Sequence, residues 1–155
     1  MKLNNQTLLK TTCYINGSWQ EATDGNTIEV TNPATGQVIG QVPNLTNVQV
    51  NAAIDAAASA FAPWSNMSSY DRAPLLEKWS QLLLDNLDDL ATILTSEQGK
   101  PLSEAKAEIT HAASYLRWFA EQAKRADGDI IPAPSPHSKL LVIKQAVGVV
   151  ATITP

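Results

Sequence analysis

An α/β fold is predicted for this 155-residue chain by three observations. Residues 14–43 alternate short apolar pairs with turn-forming residues, residues 47–126 carry helical periodicity, and residues 147–154 form a continuous apolar run. That run implies a strand covered on both faces, as in a parallel sheet flanked by helices. A chain of this length is long enough for one domain that buries roughly 68–70% of its unfolded surface.

Tyr14-Ile15 and Ser18-Trp19 flank Asn16-Gly17, a pair whose tolerance of positive φ suits a two-residue hairpin turn. A second pair of strands, 27–31 and 37–42, is separated by Asn32-Pro33-Ala34-Thr35-Gly36, where proline presets φ and glycine closes the turn. From Asn47 the period becomes helical. Thr46 and Gln49 have capping-box spacing, and Val50, Ile54, Ala57, Ala58 and Phe61 share one face of a first helix running to about 61. Ser68 and Asp71 repeat the start signal ahead of an apolar stripe of Leu75, Leu76, Trp79, Leu82 and Leu83. Leu87, Leu90, Ala91 and Leu94 continue as a third helix that ends near Gly99, with Pro101 behind it.

A fourth helix, about 102–126, carries two stripes. Ile109, Ala112, Ala113, Leu116, Phe119, Ala120 and Ala123 form a core face. Glu104, Glu108, His111, Tyr115, Trp118 and Gln122 line the opposite side, either as a solvated face or as one that packs on further protein. Alternate prolines at 132, 134 and 136 favour an extended connector over 131–136. Residues 139–145 and 147–154 then read as two strands.

A net charge of -4 with no run of like charges argues against a nucleic-acid or anionic-membrane surface. Cys13, the one cysteine, allows no internal disulfide and suits a reducing compartment. The polar start of the chain offers only Leu8-Leu9 as an apolar pair, too little for a signal-peptide core or a spanning helix. A soluble cytoplasmic protein without a membrane partner is expected.

No complete catalytic constellation can be assembled. Cys13 begins a predicted hairpin strand, with no helix terminus or cation to activate it toward His111 or His137. Two distant histidines do not make a zinc site. Glu104 and Glu108, one turn apart, could serve as an acid–base pair or simply as an exposed pair balanced by Lys106 and Arg117. There is no P-loop and no glycine-rich dinucleotide fingerprint.

Five motifs nevertheless stand in a telling order: Tyr14-Ile15-Asn16-Gly17-Ser18-Trp19, Val30-Thr31-Asn32-Pro33-Ala34-Thr35-Gly36, Glu97-Gln98-Gly99-Lys100-Pro101, Trp118-Phe119-Ala120-Glu121 and Gly148-Val149-Val150-Ala151-Thr152-Ile153-Thr154-Pro155. In this register the sequence resembles the NAD(P)-dependent aldehyde dehydrogenases. Within them it is most similar to the bacterial succinate-semialdehyde dehydrogenases, through Met1-Lys2-Leu3-Asn4, Glu104-Ala105-Lys106, Lys124-Arg125, Gly128-Asp129-Ile130-Ile131-Pro132 and Val142-Ile143-Lys144-Gln145. Ala146 stands where the family usually has proline.

The resemblance covers the whole chain but only about the first third of a family member. It implies the amino-terminal segment of that fold: small antiparallel strands, four helices and the first strand of the nucleotide-binding sheet. Residues 1–130 correspond to the start of the NAD(P)-binding domain, 131–146 to a connector and an oligomerisation-type strand, and 147–155 to the truncated first sheet strand. The implied reaction oxidises succinic semialdehyde to succinate through a cysteine thiohemiacetal. Its nucleophile, general base and oxyanion asparagine all fall beyond Pro155, so no catalytic residue is expected here and the isolated chain is expected to be inactive. The resemblance further implies Ile153, Thr154 and Pro155 on the side of an NAD or NADP cofactor and His111 at the substrate entrance. It places a monovalent-cation site at Val30, Thr31 and Glu97, and it implies a homo-oligomer acting on a small aldehyde. Another aldehyde dehydrogenase subfamily, or a non-catalytic interaction module, are the alternatives.

Overall fold

Two antiparallel hairpins open the chain in the computed structural model, which describes residues 1–154. β1 (Cys13–Ile15) pairs with β2 (Ser18–Gln20), and the turn between them places Asn16 and Gly17 at φ 48° and 79°, the left-handed pair that a two-residue hairpin requires. β3 (Thr27–Thr31) pairs with β4 (Val38–Pro43). In that ladder Val30 faces Gly40 and Thr31 faces Val38, so Ile39 is opposite no residue and forms a bulge.

Four helices follow: α1 (Asn47–Asn66), α2 (Ser69–Asp85), α3 (Leu87–Gln98) and α4 (Leu102–Ala123). Their starts follow local chemistry. Thr46 and Gln49 form the expected capping box on α1, and Ser68 accepts from the Asp71 backbone N–H at the head of α2. Gln49 does more than cap. Its buried amide accepts from the Thr23 backbone N–H at 3.1 Å and donates to the Glu21 carbonyl at 2.8 Å, tying α1 to the segment after β2.

The helices diverge from the sequence expectation in their buried faces. α4 packs mainly on α2 and then on α3, along a seam of small residues: Ala73 and Ser80 of α2, Ala91 of α3, and Ala105, Ala113 and Ala120 of α4 are all buried. Small side chains let the helix axes approach closely, and Ser80 Oγ donates to the Ala113 carbonyl across the seam at 2.7 Å. Ala112 and Phe119 of the expected α4 core face are exposed instead, as are Leu75, Trp79 and Leu82 of α2. Val50 and Ile54 of α1 are exposed too, because no helix or strand packs on α1 to a comparable extent. α1 also runs past residue 61 to Asn66, through Pro63, and α4 stops at Ala123 rather than 126.

A third hairpin pairs β5 (Asp129–Ile131) with β6 (Leu140–Val142). Ile131 therefore belongs to a strand rather than to the expected connector, and only residues 140–142 of the expected strand over 139–145 form a ladder. Residues 147–154 form no ladder, and Val147 and Ile153 are 91% and 96% exposed. A strand makes all its hydrogen bonds to neighbours, and none of the described strands lies beside this run.

Candidate functional site

The α3–α4 junction brings distant parts of the chain together. Gly99 ends α3 at φ 78°, its N–H donating to the Thr95 carbonyl at 2.9 Å. A Cβ at this position would come within 2.7 Å of Pro33 Cγ, so the helix end sits directly on the β3–β4 turn. That turn is held by its own bonds, Asn32 N–H to the Gln37 carbonyl at 2.9 Å and Gly36 N–H to the Asn32 carbonyl at 2.8 Å. Val30 of β3 is thereby placed beside Glu97 of the last α3 turn.

The first residues of the chain reach the same place. Leu3 is buried, and the buried Asp89 carboxylate of α3 accepts from the Asn4 and Asn5 backbone N–H groups at 2.9 and 2.8 Å and from Asn4 Nδ2 at 3.2 Å. So tethered, the arm runs on to Leu9, Lys10 and Thr11. These three, with Val30, residues 39–42 around the β4 bulge and Glu97, enclose a cavity of about 20 Å³. That volume accommodates one water-sized or ion-sized guest.

Its electrostatics suit a cation. Glu97 makes no ion pair or side-chain hydrogen bond among the described residues, and partial burial raises its carboxyl above the ordinary value of 4.5. The bulge at Ile39 interrupts the ladder beside Val30, and a bulged residue is left out of the regular pairing. A single carboxylate with backbone oxygens fits a monovalent ion. No group of three or more His, Cys, Asp or Glu able to hold a metal occurs among the described residues. Of the three expected cation residues, Val30 and Glu97 line the cavity and Thr31 does not.

The other expected site residues lie apart from it. His111 stands on the exposed face of α4, its ring 6.1 Å from that of Tyr115, which in turn lies 4.9 Å from Phe119. Thr154 and Ile153 sit on the exposed terminal run, and Pro155 lies outside the described residues. Upstream of them, Phe61 and Trp64 of α1 line clefts of about 480 and 330 Å³ with residues 144–146 and 148–150. Neither cleft includes Ile153 or Thr154, and these two residues do not by themselves enclose a dinucleotide. A further cleft of about 600 Å³ beside β4 offers Glu21 as its sole titratable group. Lys10 and Asp89 escaped the sequence reading: one sits in a segment without periodicity, and the other reads as an ordinary acidic residue of a helix's first turn.

Comparison with known proteins gives this arrangement a context. The profile of the aldehyde dehydrogenase family matches residues 19–155. Glutarate-semialdehyde dehydrogenase of Pseudomonas putida is 50% identical over 155 residues, all of this chain and 32% of the relative. Succinate-semialdehyde dehydrogenase [NADP(+)] of Escherichia coli is 48% identical over the same share of each. The crystal structure of an aldehyde dehydrogenase from Brucella melitensis biovar abortus superposes with a TM-score of 0.89 at 51% identity, covering 92% of this chain and 30% of that one. The chain spans about a third of the length of the curated relatives it matches.

Proposed function

The chain belongs to the aldehyde dehydrogenase family, and from that premise we propose that the protein carrying it oxidises a short aldehyde with a distal carboxylate, a semialdehyde such as that of succinate or glutarate. The observation that carries this reading is the 48–50% identity to enzymes named for those two substrates, spread over all 155 residues. The two identities are close enough to support the substrate class without choosing a chain length. NAD or NADP, when bound, takes up the hydride; the name of the Escherichia coli relative supports NADP as one acceptor.

In this reading residues 1–155 supply the frame and not the reacting groups. Cys13 begins β1 and is not assigned as the nucleophile in this reading. The exposed stripe of His111, Tyr115 and Phe119 faces the substrate entrance, and Ile153 and Thr154 supply a strand edge to the cofactor side of a larger sheet. Val30 and Glu97, without Thr31, border a monovalent cation that neutralises the carboxylate and braces α3 against β3. The β5–β6 hairpin, with Ile130 and Leu141 at 80% and 68% exposure, is the surface for assembly into a homo-oligomer.

The test compares the complete gene product with residues 1–155 alone, following NAD(P)H formation with succinic and glutaric semialdehydes. The complete protein is expected to turn over at least one of them, and the 155-residue chain neither. Enzyme-like rates from residues 1–155 alone, or none from the complete protein with either aldehyde, would overturn the proposal.

A further inference from the structure

The amino-terminal arm precedes the part of the chain that matches the family profile, which begins at residue 19. Yet Leu9, Lys10 and Thr11 of that arm form one wall of the Glu97 cavity. Lys10 is thus the one basic residue lining a space whose only acidic residue is Glu97. Its ammonium stands 5.1 Å from the centroid of the exposed Trp19 ring, a contact that is weak where solvent has access. The four-carbon stem of lysine gives that ammonium a choice of positions, and in a partly desolvated cavity a carboxylate attracts a cation more strongly than a ring face does.

We propose that Lys10 is a tethered cation for this cavity: its ammonium exchanges between Trp19 and Glu97 and so competes with a free monovalent ion for the same carboxylate. The inference rests on the cation reading of Val30 and Glu97 given above and adds a competitor from this chain's own arm. Asp89 is part of the device, because its grip on Asn4 and Asn5 holds the arm where Lys10 can reach the cavity. Occupancy then depends on the concentration of the free ion, which must displace a group that never diffuses away.

Thermal unfolding of the complete protein in potassium chloride, against choline chloride at equal ionic strength, tests this. Choline is too large for a cavity of about 20 Å³, so a gain specific to potassium reports binding there. An ion pair with partial solvent access contributes up to about 1 kcal/mol, which converts to about a fivefold change in apparent affinity. Lys10→Met is therefore expected to show the same potassium-specific gain as wild type at about one-fifth of the potassium concentration. Lys10→Arg keeps the charge and the wild-type value, and Glu97→Gln shows no potassium-specific gain. Lys10 is exposed, so neither substitution there threatens folding. Equal potassium-specific gains for wild type and Lys10→Met at every potassium concentration would overturn the tether while leaving the cation site standing. No potassium-specific gain in any of the proteins, Lys10→Met included, would overturn both.

Discussion

Asp89→Asn isolates the contact that fastens the amino-terminal arm to α3. The substitution keeps the shape of the side chain and replaces one acceptor oxygen with an N–H₂ group. Oδ2 accepts from the Asn5 N–H at 2.8 Å, and Oδ1 from the Asn4 N–H and Asn4 Nδ2 at 2.9 and 3.2 Å. The amide can keep one oxygen on the Oδ1 side, so its N–H₂ group then meets the Asn5 N–H donor to donor. A part-buried donor left without an acceptor costs about 1–3 kcal/mol, and the two surviving bonds drop from charge-assisted to neutral strength. Relief of the desolvation of a buried carboxylate offsets part of this. The net expectation is about 2–3 kcal/mol, most of it lost from the arm rather than from the helices, which share no other side-chain hydrogen bond with it among the described residues. The assay is amide hydrogen exchange. Protection at Asn4 and Asn5 should fall by about 30- to 150-fold while protection in α2 and α4 is unchanged, and proteolysis within residues 1–12 should accelerate in parallel. Undiminished protection at both amides would refute the assignment of Asp89 as the clamp.

Glu97 predicts a pH dependence of definite sign. Its carboxyl titrates above 4.5 in the folded protein because burial disfavours the charged form, so the folded state holds more protons than the unfolded state just above that pH. The contribution of Glu97 to stability is thus present at low pH and lost as the pH rises through the raised value. In a Lys10→Met background and in buffer free of sodium and potassium, denaturant unfolding should show Glu97→Gln at least as stable as its Glu97 parent near neutrality, with the difference shrinking on acidification; a flat or opposite trend would count against the burial of Glu97. At Gly99, alanine should cost about 2–4 kcal/mol in urea unfolding, from the left-handed backbone together with the Pro33 contact at 2.7 Å. Gly25→Ala is the control, with φ 71° and nothing within 4 Å, and should cost only the backbone share; equal losses at the two sites would show that Pro33 yields without resistance.

Short-range chemistry made much of this molecule legible in the sequence. The Asn16-Gly17 turn, the Thr46 and Ser68 caps and the Gly99 terminus each depend on φ preferences or on hydrogen bonds spanning two to five residues, and each stands where its residue types indicate. The ordered motifs carried the family in the same way, since a motif is itself a local pattern. Burial was legible only in part. The apolar stripes of α1 and α4 are real as patterns, but which face is covered depends on what packs there, and the seam that formed is the alanine face that brings helix axes closest.

Tertiary structure alone decided the rest. The Glu97 cavity draws its walls from the arm, β3, β4 and α3, and the clamp that closes it joins Asn4 to Asp89 across 85 positions, a separation at which no periodicity or turn propensity operates. Residues 147–154 show the same division from the other side. Their sequence specifies a strand's apolar face, but a strand is completed by backbone partners outside itself, so the run that reads most plainly as β structure forms no ladder and is largely exposed in this structure.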